Sequence, residues 1–139
     1  MTEFTNIDSK PKIVVSDIDY RRLSGLASGA HDRFPEVAEE LQAEMDRAEV
    51  VSAGALPPDV VGMGSTVEFR SDAGQDRRVT LVFPGEADIA ANRISILTPI
   101  GTALIGLAAG QSIRWTARDG RRHELTVLRV DQPALDAGA

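Results

Sequence analysis

The 139-residue sequence predicts an α+β fold, in which a short antiparallel helical hairpin precedes a small antiparallel sheet with one packed helix. This prediction depends on a change of hydrophobic period near residue 52. Before it, apolar residues recur at helical spacing, and after it they alternate with polar residues in short segments. The pair Pro57-Pro58 lies at this break and cannot continue a helix. We therefore divide the chain into a hairpin at 1–52, a linker at 53–59 and a sheet domain at 60–139.

The composition is typical of a globular protein, with 42% hydrophobic and 26% charged residues. The sequence contains no apolar run of the ~18 residues that a membrane span needs, and its N-terminus shows no secretory signal. Because there is no cysteine, disulfides and thiolate metal sites are excluded. We expect a cytoplasmic protein.

The negative charge of the chain is concentrated in its first third. Residues 1–52 hold six Lys and Arg against eleven Asp and Glu, and the whole chain has a formal net charge of −6. Binding to nucleic-acid phosphates requires a basic surface. We therefore expect no strong direct nucleic-acid binding, and a basic protein surface as the partner of the hairpin.

Two helices are predicted in the hairpin, over about 17–27 and about 35–50. Ser16 and Asp19 have the spacing of a capping box at the start of the first helix. The second helix carries an apolar stripe with the spacing of an antiparallel coiled coil, formed by Phe34, Ala38, Leu41, Met45 and Ala48. Since two heptads are too short to be stable alone, the first helix must pack on this stripe, through Ile18, Leu23 and Leu26.

The sheet domain has five strand candidates: Val60–Arg70, Arg77–Phe83, Arg93–Leu97, Ser112–Arg118 and His123–Val130. Asp119-Gly120 predicts a two-residue type I′ turn between the last two. A short buried helix is expected over Thr102–Leu107, with Gly110 at its C′ position.

The search for catalytic chemistry is mostly negative. His31 and His123 lie in different modules, without a surrounding carboxylate pattern that indicates a metal site. The segment Gly62-Met63-Gly64 lacks the third glycine of a dinucleotide fingerprint, and a strand follows where a helix is required. We predict no catalytic residue, no metal and no cofactor.

The acidic residues of the hairpin allow two interpretations. One ridge on the second helix is formed by Glu36, Glu40 and Glu44, at a spacing of four residues. It is either a solvated face balanced by Arg33 and Arg47 or a surface that docks into a basic channel. The candidate residues of this acidic hairpin are Asp32, Glu36, Glu40 and Glu44.

A resemblance to a known family appears from Val79 onward. The turn Glu86-Ala87-Asp88, the segment Ile94-Ser95-Ile96-Leu97-Thr98-Pro99 and the segment Ala103-Leu104-Ile105-Gly106 resemble the C-terminal domain of the Gre family of bacterial transcript-cleavage factors. The resemblance implies a fold like that of the FK506-binding proteins, and RNA polymerase as the partner. The hairpin and linker are similar to a short-hairpin branch that is linked to the regulation of nucleoside diphosphate kinase.

This resemblance also implies where and how the chain acts. Gre factors dock at the rim of the polymerase secondary channel, and an acidic pair at their hairpin tip holds a catalytic magnesium in the polymerase. The short loop here offers only Asp32, followed by Glu36. We therefore expect a regulator without transcript-cleavage activity. Its polymerase-binding residues are predicted to be Thr98, Pro99 and Ile100, although Leu97 stands where the family has an Asp.

Two alternatives remain open at this point. The fold suggests a prolyl isomerase, but such enzymes hold proline in an aromatic-lined pocket and aromatic residues make up only 4% of this chain. The other alternative is a weak cleavage factor acting through Asp32 and Glu36. The oligomeric state is open as well.

Overall fold

The computed structural model describes residues 11–72, 74–117 and 119–132, and it has the predicted mixture of helices and sheet. The elements in chain order are β1 (Val14–Ser16), α1 (Asp17–Ala30), α2 (Pro35–Arg47), β2 (Glu49–Val51), β3 (Thr66–Ser71), β4 (Asp76–Val82), β5 (Arg93–Ser95), α3 (Pro99–Leu104), β6 (Ser112–Thr116) and β7 (Arg122–Asp131). Short 3₁₀ turns lie at Ala53–Ala55, Pro84–Glu86 and Ile89–Ala91.

The helical hairpin begins and ends with short strands that the sequence did not predict. β1 and β2 pair in parallel, with Val15 opposite Val50. Consequently α2 ends at Arg47, and the prediction that it continues to residue 50 is wrong. The β-branched pair Val50-Val51 favours extended backbone, and the Glu49 N–H donates to the Ile13 carbonyl oxygen at 3.0 Å.

Both helices meet through a shorter apolar stripe than predicted. The Ser16 hydroxyl accepts the Asp19 N–H at 3.1 Å, which confirms the predicted cap of α1. In α2 the buried apolar residues are Ala38, Leu41 and Met45. Phe34 lies before the first turn of α2 and is 48% exposed, so its assignment to the stripe is wrong.

The residues that α1 buries are only in part the ones that were predicted. Leu23 is buried and Leu26 packs against the core, as predicted, whereas Ile18 is half exposed. Ala27 and Ala30 are buried as well, and α1 extends three residues beyond its predicted end.

A five-stranded sheet forms the second part of the chain, in the order β5-β4-β3-β7-β6. Its pairs are antiparallel except β4 with β5, which are parallel, so the sheet is mixed rather than purely antiparallel. The first predicted strand begins at Thr66 rather than at residue 60. The preceding residues instead bond to the chain after α3, where the Val61 N–H donates to the Leu107 carbonyl oxygen at 2.8 Å. The predicted strand end at Arg118 lies outside the described residues.

The turns around α3 and between β6 and β7 also differ from expectation. α3 begins at Pro99, three residues before its predicted start. Gly106, with φ +83°, occupies the C′ position predicted for Gly110. β6 ends at Thr116 and β7 begins at Arg122, and Gly120 between them has φ +84°, but Asp119 lacks the positive φ that the predicted type I′ turn requires.

One hydrophobic core includes residues of the hairpin and of the sheet. Its largest fully buried apolar side chains are Ile13, Leu23, Leu41, Met45, Phe69, Leu81, Ile96, Leu104, Ile105, Leu107 and Leu125. The Val14 N–H donates to the Gly106 carbonyl oxygen at 3.1 Å, which ties the start of the hairpin to the end of α3. The domain bounds stay a prediction, but the two parts are stabilised by burial against each other.

Candidate functional site

A rigid corner joins β5 to α3 and contains the three residues predicted to bind a partner. The Thr98 hydroxyl accepts the Gly101 N–H at 3.0 Å and donates to the Ser95 carbonyl oxygen at 2.7 Å. Pro99 occupies the first turn of α3, where its fixed φ is favourable. A Cβ atom on Gly101 would lie 2.3 Å from the Ser95 carbonyl oxygen. The corner is therefore closely packed.

The outward surface of this corner is limited. Thr98, Pro99 and Ile100 are all half-buried, and Ile100 packs against the core. Thr98 stabilises the start of α3 as its N-cap, in addition to any contact that it makes. Parts of these three side chains are therefore open to solvent.

The acidic residues of the hairpin do not form one ridge. Asp32, in the turn between the helices, is exposed, as are Glu36 and Glu40 on α2. Glu44 is only 2% exposed, and its carboxylate accepts the Arg47 Nε–H at 3.0 Å and the Nη2–H at 2.8 Å. The prediction that Glu44 belongs to an accessible acidic surface is wrong, because the end of α2 packs on the core at this position.

A groove of about 620 Å³ lies between the helices near the hairpin turn. It is lined by Ala27, Ser28, His31, Asp32, Ala38, Glu39, Gln42, Ala43 and Asp46. The Nε2 atom of His31 lies 3.4 Å from the Glu39 carboxylate across the turn. Sequence reasoning missed this pair, since their separation of eight residues spans two helices and no single-helix period relates them. The lining contains no Phe, Tyr or Trp, unlike the proline pocket expected of an isomerase.

Asp19 connects α1 to the sheet part of the chain. Its carboxylate accepts the Met63 N–H at 3.1 Å, while the neighbouring Arg22 guanidinium lies 4.2 Å from the centre of the Phe83 ring. Burial raises the pKa of the Asp19 carboxyl, and the Met63 N–H and the Arg22 charge oppose that increase. This carboxylate therefore helps to fix the direction of the hairpin relative to the sheet.

Neither a metal cluster nor a membrane-spanning helix occurs in the described part of the chain. Within residues 11–72, 74–117 and 119–132, no three His, Asp or Glu side chains lie together as potential metal ligands. Among the helices of these same residues, none is long and apolar enough to cross a membrane.

Two models of known protein families match most of the described chain. Residues 56–132, which include the whole five-stranded sheet and the corner at Thr98, match the model described as "Transcription elongation factor, GreA/GreB, C-term". The chain belongs to the Gre family. Residues 11–51 of this Gre-family chain match the model described as "Rnk N-terminus", which covers the helical hairpin with both of its short strands.

Individual relatives agree with this assignment. The Gre-family chain is 37% identical over 132 residues to the regulator of nucleoside diphosphate kinase of Escherichia coli K12, which covers 94% of this chain and 96% of that protein. It is 39% identical over 92 residues to the elongation factor GreA of Rhodospirillum rubrum, with coverage of 65% and 59%. The predicted resemblance to a short-hairpin branch of the Gre family, linked to nucleoside diphosphate kinase, is confirmed.

A solved structure supports the same fold. The Gre-family chain superposes on the GreA/GreB elongation factor from Nitrosomonas europaea with a TM-score of 0.70 and 41% sequence identity. The match covers 88% of this chain and 99% of that one. The finer predictions, a coiled-coil hairpin and a sheet like that of the FK506-binding proteins, stay predictions.

Proposed function

We propose that this chain binds RNA polymerase at the rim of the secondary channel, in the cytoplasm, as a regulator that competes with Gre factors and does not cleave transcripts. The observation that carries this proposal is the family match over 56–132, which includes the complete corner at Thr98, Pro99 and Ile100. A pre-formed corner suits a binding surface because little conformational entropy is lost when a partner docks.

The form of the hairpin supports a role without cleavage. α1 has 14 residues, so the arm is about 21 Å long at ~1.5 Å per residue. Asp32 is the one carboxylate within the turn between the helices, and Glu36 follows in the first turn of α2. Because magnesium sites in proteins usually need several oxygen ligands in fixed geometry, we propose that this tip supplies no catalytic metal site.

The two parts of the chain contribute differently to binding. The corner provides the short-range contact, and the exposed carboxylates of Asp32, Glu36 and Glu40 provide attraction at longer range to a basic surface. Changing Glu36 and Glu40 together to Gln should therefore lower mainly the association rate and its dependence on salt. Glu44 is left unchanged in this variant, because it is buried in an ion pair.

Binding is tested with fluorescently labelled protein and bacterial core RNA polymerase. We expect Pro99→Asp to weaken binding by about 2 kcal/mol, or roughly 30-fold, since it places a charge in an apolar contact. Aspartate is tolerated in the first turn of a helix, so the fold should persist. Pro57→Asp, the same change at an exposed proline, is the matched control. Equal affinities of the two variants, or binding that a saturating Gre factor does not reduce, would contradict the rim site.

Cleavage is tested with a stalled elongation complex that carries a labelled transcript. We expect no shortening of the RNA with the wild-type chain or with Asp32→Asn, and Asp32→Asn should change the affinity little. Magnesium-dependent shortening that Asp32→Asn abolishes would establish the cleavage alternative and refute our proposal.

The similarity to the Escherichia coli regulator extends the proposal to nucleoside diphosphate kinase. We propose that loss of this chain changes the cellular activity of that kinase. Kinase activity is measured in extracts of a strain without the gene, and of the same strain complemented with the wild-type chain or with Pro99→Asp. Equal activity with and without the gene would contradict this part.

A further inference from the structure

A single isoleucine is presented to solvent by the loop between β4 and β5. We name residues 84–92 the edge loop. Ile89 within it is 86% exposed, whereas the other exposed large apolar residues of the described chain, such as Phe34 at 48% and Leu128 at 38%, keep half or more of their surface covered. Ile89 contributes little to the core, so its role in the folded chain must be sought outside the core.

The edge loop is held in one conformation by its backbone. Asp88 and Arg93 form a two-way bridge, in which each N–H donates to the other carbonyl oxygen at 2.9 Å. The Asp88 carboxylate accepts the Ala90 N–H at 3.1 Å. Asn92 adopts a left-handed conformation with φ +58°, and its carbonyl oxygen accepts the Thr80 N–H of β4 at 2.8 Å. A fixed loop loses little entropy on binding, which favours a contact residue at its tip.

The surroundings of Ile89 indicate what kind of surface it fits. The edge loop contains two acidic residues, Glu86 and Asp88, and neither Lys nor Arg, and one exposed cation, Arg93, follows it at the start of β5. Its other exposed residues include three alanines, at positions 87, 90 and 91, which are small enough for a partner to approach the isoleucine closely. A complementary partner therefore presents a shallow apolar socket with a cationic rim.

The position of the edge loop relates it to the proposed polymerase contact. β5 lies at one edge of the sheet and has only three residues, a length of about 10 Å. The edge loop precedes β5 and the corner at Thr98 and Pro99 follows it, so the two lie at opposite ends of this short edge strand. A single partner surface can reach both.

We infer that Ile89 is a second anchor of the complex with RNA polymerase, inserted into an apolar socket with a cationic rim. This inference rests on the proposed function and adds a contact that the predicted site did not include. Burial of an isoleucine side chain corresponds to a ten- to hundredfold increase in affinity, in order of magnitude.

The test compares Ile89→Ser, Ile89→Leu and a control variant, Leu128→Ser, for binding to bacterial core RNA polymerase. Leu128 lies on β7, which β3 and β4 separate from the edge strand. We expect Ile89→Ser to bind about ten- to a hundredfold more weakly, while Ile89→Leu and Leu128→Ser bind within about threefold of wild type. Circular dichroism and thermal midpoints should be unchanged for Ile89→Ser, because the side chain is exposed.

A charge variant tests the cationic rim. Glu86→Lys should lower the affinity for polymerase several-fold and make that affinity less sensitive to salt. An unchanged or higher affinity would contradict a cationic rim on the polymerase. Wild-type affinity of Ile89→Ser, in a preparation where the wild-type chain binds, would overturn the inference and leave the proposed function intact. Failure of the wild-type chain itself to bind polymerase would overturn both.

Discussion

The contact between Gly106 and Ile13 joins the start of the hairpin to the chain after α3, and replacing Gly106 by Ala tests it directly. A Cβ atom at position 106 would lie 2.6 Å from the Cβ of Ile13 and 3.2 Å from its Cδ1. Gly106 also has φ +83°, a conformation that costs an L-residue about 1–2 kcal/mol. The clash adds a further ~1–3 kcal/mol, typical of an overpacked core. We expect Gly106→Ala to lower the free energy of unfolding by about 2–5 kcal/mol.

Gly120→Ala separates the two contributions to this cost. Gly120 has nearly the same backbone angle, φ +84°, but a Cβ atom there meets nothing within 4 Å among the described residues beyond its chain neighbours. It should therefore cost only the ~1–2 kcal/mol of the backbone conformation. The two variants are compared by urea denaturation followed by circular dichroism. Equal losses of stability would refute the close packing of the hairpin strand on the end of α3.

Three further predictions concern stability. Glu44→Gln should lower the free energy of unfolding by about 2–3 kcal/mol, less than the loss of a fully buried ion pair, because Arg47 is partly exposed. Glu40→Gln should lower it by under ~0.5 kcal/mol. Similar losses for both variants in denaturant unfolding would contradict the burial of Glu44. Burial raises the pKa of Asp19, so ionisation of its carboxyl destabilises the folded chain. This loss of stability develops as the pH rises from ~3.9, the ordinary pKa of an aspartate, through the higher pKa of the folded state. In thermal melts, Asp19→Asn should therefore gain stability relative to wild type as the pH rises above the ordinary aspartate pKa of ~3.9. A difference independent of pH would count against this reasoning. Thr98→Ala should lose about 1 kcal/mol through the missing N-cap, and Thr98→Ser should retain most of it; equal losses in both would exclude the cap.

Much of the fold was predictable because its signals are local. The cap at Ser16 and the start of the second helix near residue 35 each depend on neighbouring residues, and the structure has both. The short strands β1 and β2 were not predictable, since each has three residues and is defined by a partner more than 30 residues away. Local propensity carries no information about such a pairing.

The candidate site likewise contains features with local signals in the sequence and features without them. The corner at Thr98 and Pro99 was located from a resemblance in sequence, and its hydrogen bonds connect residues within three positions. The acidic hairpin was misjudged at Glu44, because a spacing of four residues shows which carboxylates share a helix face but not where that face is covered by the core. Ile89 was overlooked for the opposite reason, since an apolar residue in a loop has no pattern that distinguishes exposure from burial.

The parallel pair β1–β2 has a consequence for how hairpins of other lengths can be accommodated. Both ends of the hairpin are fixed side by side at its base, while the turn at residues 31–34, at the other end of the two helices, is exposed to solvent. Matched insertions of about seven residues in each helix next to that turn would lengthen the arm by about 10 Å and retain the helix register. Hairpins of different lengths can then be joined to the same pair of strands, so that the reach of the hairpin changes while its attachment to the sheet stays the same.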